Sequence, residues 1–260
     1  MTSSILAKYR PPGYILATCF VSIAGLLNGY DTGSIGAVTE MPQFETTFGH
    51  LSPGLRGLTV SIVMLAGVFP SFYAGQLADR FGRLSVISAG AAILTIGCLL
   101  QASASRLPVF ILGRALSGVG QGTWMSALAV YITEIAPSAR RGMLVSAPQL
   151  MSTTGVCVGY FTCYASIRLP SSLAWRATFI IQAILGLVLA VGCYFLPQSP
   201  RWLLLNNQRD KAVHAIQRLD FGAAEAEKDL LGPAATAAAE LSMRARKPGP
   251  VESLLSLIHI

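Results

Sequence analysis

The chain alternates long apolar stretches with short polar clusters. The apolar runs cover about residues 13–38, 57–78, 85–103, 107–132, 143–165 and 174–196. Each is close to the ~20 residues that a helix needs to cross ~30 Å of hydrocarbon. In lipid, only a helix satisfies its own backbone polar groups over such a length. The pattern predicts an all-α membrane protein. A polar N-terminus (1–12) precedes a six-transmembrane-helix bundle (13–197). The first run is too long for a signal-peptide core and has no convincing cleavage site, so it is expected to stay.

Beyond Pro197 the pattern changes. Ala212, Val213, Ile216 and Leu219 recur at helical spacing among charges, which predicts a short amphipathic helix within 209–220. An alanine-rich stretch, 234–246, also reads as helical before Lys247-Pro248-Gly249-Pro250 breaks the chain. Residues 198–260 are therefore expected to form a cytoplasmic helical linker that stops before a second bundle. The closing apolar piece, 254–260, is far too short to span.

Composition supports lipid as the solvent. Apolar residues make up 53% of the 260 and charged residues 12%, against about 25% charged in a soluble domain. The net charge of +7 does not indicate nucleic acid. Its Lys and Arg residues sit at the ends of apolar runs, where they set topology and meet anionic lipid. With the N-terminus inside, the inner segments carry Lys8, Arg10, Arg80, Arg83, Arg140, Arg141, Arg201, Arg209 and Lys211. The outer loops carry only Arg56, Arg106, Arg168 and Arg176. This asymmetry places both termini in the cytoplasm.

The five cysteines lie inside apolar runs with no metal or redox spacing, and read as small buried hydrophobes. His50, His214 and His259 lie outside the runs and form no cluster. There is no nucleophile elbow, zinc helix motif or P-loop, so neither an enzyme nor a metal or other cofactor is expected. Glycines are spaced four apart in three runs: Gly25, Gly29 and Gly33; Gly118 and Gly122; Gly155 and Gly159. Such spacing lets helix backbones approach closely in lipid.

Ionisable side chains inside spans are costly and point to function. Asp31 lies well inside the first run and Arg114 about two turns into the fourth. Facing each other across a bundle, they would neutralise one another. A carboxylate beside a guanidinium stays ionised. One separated from it in a low-dielectric interior favours its protonated form. The pair is thus either a proton switch or a static ion pair. At the inner side, Asp79 and Glu134 offer carboxylates to Arg80, Arg83, Arg140 and Arg141. Gln149 in the fifth run could bond a neighbouring helix or sugar hydroxyls. Gln101, Gln121 and Gln182 are further in-span amides that the sequence does not rank below it.

Together these segments resemble the sugar porter family of the major facilitator superfamily. The matching pieces are Gly29-Tyr30-Asp31-Thr32-Gly33, Gly75 through Arg83, and Gly113-Arg114 with Gly118, Gly120 and Gly122. Tyr131-Ile132-Thr133-Glu134-Ile135-Ala136-Pro137, Arg141-Gly142 and Pro197-Gln198-Ser199-Pro200-Arg201-Trp202-Leu203 complete the set. The resemblance implies transport of a sugar or polyol by alternating access, coupled to protons, in a membrane that is by family default the plasma membrane. It implies proton coupling at Asp31 and Arg114 and sugar binding at Gln149. It also implies an inner-face gating network of Asp79, Arg80, Arg83, Glu134, Arg141 and Arg201.

Three departures stand out. Gln198 replaces a glutamate of the signature, Val156 replaces a second sugar-binding glutamine of some members, and the family has two six-helix halves where this chain shows one. A bundle without its mate would leave Asp31, Arg114 and Gln149 on an open, site-facing side. The partners implied are a sugar or polyol, the proton, the bilayer and a missing C-terminal half. A non-transporting sugar sensor and an inactive truncated product remain the alternatives.

Overall fold

The computed structural model describes residues 12–220. The expected N-terminal segment, the 234–246 helix and the closing apolar piece lie outside the described residues. The first run forms two helical pieces, α1 (Gly13–Val21) and α2 (Ile23–Thr39), joined at Ser22. The Ser22 hydroxyl there donates to the Thr18 carbonyl at 2.7 Å. A short helix that the hydropathy pattern did not predict, α3 (Pro42–Phe48), follows. The remaining long helices are α4 (Pro53–Phe81), α5 (Arg83–Ser103), α6 (Leu107–Ile135), α7 (Arg141–Ser166) and α8 (Leu173–Gly192). A 3₁₀ turn, Cys193–Phe195, ends the last of them. Then come α9 (Pro200–Leu205) and α10 (Arg209–Leu219). The latter is the amphipathic helix expected from the 209–220 pattern.

By length and hydropathy four segments are able to cross a membrane: Gly13–Thr39, Pro53–Phe81, Arg83–Ser103 and Leu173–Phe195. The other two long helices have 29 and 26 residues, so length is not what they lack. Their hydropathy is diluted by Arg114, Ser117, Gln121 and Thr123 in α6 and by Gln149, Ser152, Thr153 and Thr154 in α7. In α6, Arg114, Ser117 and Thr123 are buried among neighbouring helices, and a helix shielded in this way tolerates polar groups that a lipid-facing one does not.

The helices pack chiefly as α5 on α6, α2 on α7, α4 on α6 and α5 on α8. Glycine sets these contacts. A Cβ on Gly25, Gly29 or Gly33 would strike the carbonyls of Pro148, Ser152 and Val156 on α7. One on Gly118 or Gly122 would strike those of Val63 and Gly67 on α4, and Gly155 lies equally close to Leu26. The backbones touch because no side chain intervenes.

Two apolar clusters fill the bundle. The larger includes Trp124, Tyr131, Ile132, Ile87, Leu94 and Leu27. The other, at one end, stacks Phe44 and Phe48 of α3 on Phe110 and Trp175, with ring centroids 4.7–5.9 Å apart. This packing explains α3: its buried aromatics, not its hydropathy, hold it in place.

Contacts between chain-distant residues identify the opposite end. Trp202 Nε1 donates to the Asp79 carbonyl at 2.7 Å, Arg218 to the Phe195 carbonyl at 2.9 Å, and Arg140 to the Tyr14 hydroxyl at 3.3 Å. The starts of α1 and α7, the end of α4 and helices α9 and α10 therefore share one end of the bundle. The aromatic cluster and the α2–α3–α4 connection occupy the other.

Candidate functional site

Asp31 and Arg114 meet. Arg114 Nη1 donates to Asp31 Oδ1 at 2.5 Å, and the two residues are 1% and 4% exposed, Arg114 being the more enclosed. The guanidinium is held further by α4: its Nε donates to the Thr59 carbonyl and its Nη2 to the Val60 carbonyl, each at 3.3 Å. From α8, Gln182 Nε2 donates to the same Asp31 oxygen at 3.4 Å, while its Oε1 is buried without a hydrogen-bond partner. Four helices thus converge on one carboxylate. Removing one partner of such a pair leaves an uncompensated buried charge, at a cost of roughly 3–5 kcal/mol. The expected open placement does not hold for these two residues, which are enclosed by α2, α4, α6 and α8.

Gln182 is the residue that sequence reading could not single out. It is one of several in-span amides, and only the fold brings it to Asp31. Gln101 goes elsewhere, donating to the Ser117 hydroxyl at 2.8 Å.

Gln149 is exposed on α7 and lines a recess of ≈ 210 Å³ with Asn28 and Ser152. Its position and that of half-buried Asn28 put two amides on one concave surface. Amides supply both donors and acceptors to a ligand rich in hydroxyls.

The network expected at the inner face assembles in part. Arg83 Nε and Nη2 grip Glu134 Oε2 and Oε1 at 3.0 and 3.1 Å, a two-point guanidinium–carboxylate pair. The same Arg83 reaches Asp79 Oδ1 at 2.9 Å and the Ala78 carbonyl at 3.0 Å. Local geometry makes this possible. Helices α4 and α5 are separated by Gly82 alone, at φ 95°, a conformation open to glycine but rarely to other residues. The turn sends Arg83 inward. Arg80 stays outside, 5.4 Å from the Phe81 ring. Arg80, Arg141 and Arg201 are all exposed, and none forms an ion pair among the described residues.

Gln198 occupies the place of the expected acid. Its Oε1 accepts from the Leu84 N–H at 3.4 Å and its Nε2 donates to the Ser85 hydroxyl at 3.3 Å. It serves the start of α5 as a neutral cap rather than as a charge.

The family model described as "Sugar (and other) transporter" matches residues 17–256. The MFS-type transporter criB of Aspergillus cristatus is 36% identical over 197 residues, which is 76% of this chain and 42% of that one. The glucose transporter GlcP of Staphylococcus epidermidis is 33% identical over 214 residues, 80% of this chain and 45% of that one. Among solved structures, XylE of E. coli bound to 6-bromo-6-deoxy-D-glucose superposes with a TM-score of 0.74 at 26% identity. That match covers 83% of this chain and 51% of XylE. The chain spans about half the length of the curated relatives it matches. The chain belongs to the sugar transporter family of the major facilitator superfamily.

Proposed function

We propose that this chain forms one half of a proton-coupled transporter of a sugar or polyol, working by alternating access against a second six-helix bundle. The observation that carries the reading is the buried Asp31–Arg114 pair. A membrane protein gains little stability from such a pair, so its presence points to a task. Rearrangement of α2 against α6 would separate the two charges. The stranded carboxylate would then favour its protonated form, which ties proton uptake to the change of access. XylE, the structural relative, is a proton:xylose symporter.

Substrate hydroxyls would meet Gln149 and Asn28 at the recess on the exposed side of α7. Asp79, Arg83 and Glu134 would clasp the inner ends of α4, α5 and α6 in one state and part in the other, with Arg80, Arg141 and Arg201 available to the other state or to anionic headgroups. The charge bias supports reading the end that carries these arginines as cytoplasmic, with both termini inside; the plasma membrane is the family default.

Counterflow of labelled pentoses, hexoses and polyols into proteoliposomes tests the reading, with the chain alone and paired with the C-terminal half of a sugar porter. Uptake above empty vesicles that falls with Gln149→Ala is expected. No uptake of any such solute in either preparation would refute it.

A further inference from the structure

A second ion cluster lies at the end of the bundle opposite the inner clasp. Arg56, in the first turn of α4, pairs with Glu40 at the end of α2, and its other terminal nitrogen lies 3.8 Å from Glu45 of α3. His50 Nδ1 is 3.9 Å from the same Glu45 oxygen. These four are the charged or titratable groups that meet here from α2, α3, the α3–α4 connection and α4. Glu40, His50 and Arg56 border a recess of ≈ 510 Å³ whose wall includes Gly36, Thr39, Gly57 and Val60. Surface ion pairs are weak on their own. The carboxylates here are exposed, Glu40 at 66% and Glu45 at 43%, but the Arg56 side chain is 27% exposed and forks between two separate elements.

Its place on α4 matters most. Arg56 lies one turn before Thr59 and Val60, whose carbonyls hold the Arg114 guanidinium. A helix turn is stiff, so whatever fixes Arg56 also fixes those carbonyls. We propose that Arg56 is a positioning residue for the buried pair. Its fork to Glu40 and Glu45 ties the first turns of α4 to α2 and α3, and so holds Arg114 against Asp31. Release of the fork lets α4 move, loosens Arg114 and opens Asp31 to protonation from the recess side. The inference deepens the proton-coupling reading and rests on it.

Reaction of Asp31 with dicyclohexylcarbodiimide tests it. The reagent takes up the proton of a protonated carboxyl in apolar surroundings and bonds to its oxygen. The adduct is read by peptide mass spectrometry on the reconstituted chain, with Asp31→Asn as the blank and Glu134 as an internal control at the inner end.

Arg56→Gln should speed labelling of Asp31 roughly tenfold at fixed pH, the factor carried by loosening one hydrogen bond to a charged group, with Glu134 unchanged. Arg56→Lys, which keeps the charge but not the fork, should fall between and serves if the glutamine variant does not reconstitute. The swap Glu40→Arg with Arg56→Glu, made with Glu45→Gln to remove the like charge, should return the rate to near wild type. An unchanged Asp31 rate, equal acceleration at Glu134, or a swap that stays fast each overturns the proposal. Sugar exchange plays no part in this readout, so a negative result leaves the transport reading standing, and absent transport leaves the labelling interpretable.

Discussion

Replacing Glu134 by glutamine isolates the Arg83–Glu134 clasp. Glu134 accepts two bonds from Arg83, at 3.0 and 3.1 Å, and the two side chains are 8% and 7% exposed. Glutamine keeps one acceptor oxygen and turns an NH₂ group toward the guanidinium. Breaking a buried pair costs roughly 3–5 kcal/mol. Here Arg83 retains Asp79 and the Ala78 carbonyl, so the loss should sit near the lower end, about 3 kcal/mol. Asp79→Asn removes the other acid, whose side chain is 75% exposed, and should cost less than about 1 kcal/mol. Both follow from titrating the purified chain in mixed micelles with dodecyl sulfate, with helical circular dichroism as the signal. Equal losses for the two variants, or no loss for Glu134→Gln, would show that burial does not set the strength of this network.

Three further outcomes follow from single contacts. Gly29→Val puts a branched side chain into the Ser152 carbonyl and should abolish the monodisperse folded species in size-exclusion chromatography, whereas Gly36→Ala, which meets nothing, should elute as wild type. Gln182→Leu gives up a long 3.4 Å bond but also an unpartnered buried oxygen. Its unfolding free energy should change by no more than about 1 kcal/mol, and a loss of several kcal/mol would make the amide a structural necessity. Trp202→Phe deletes the 2.7 Å bond to the Asp79 carbonyl, which should cost about 1 kcal/mol and raise amide exchange across Pro200–Leu205; unchanged exchange would mean that α9 is held by other contacts.

Much of this was legible in the chain because lipid imposes simple rules. Four of the spans needed only length and hydropathy, and glycines four apart marked stretches where backbones touch: Gly25, Gly29 and Gly33 meet α7. The Asp31–Arg114 contact was legible because two lone charges in apolar runs have few ways to be satisfied. Other features depended on geometry that no local pattern encodes. Helix α3 is held by aromatics far apart in sequence, Phe110 and Trp175. Gln182 reaches Asp31 across 151 positions. Arg80 and Arg83 look alike in sequence, yet the single-residue turn at Gly82 sends only Arg83 to Glu134. The open site-facing side expected of the bundle is real for Gln149 but not for the ion pair, since carbonyls of α4 close over Arg114.

The proposal that Asp31 carries the coupled proton is tested most directly by a pH electrode outside vesicles that hold this bundle with the C-terminal half of a sugar porter. Adding substrate should alkalinise the medium for the wild type. Asp31→Asn should give no proton signal while still exchanging labelled substrate. Alkalinisation that persists in Asp31→Asn would contradict the account.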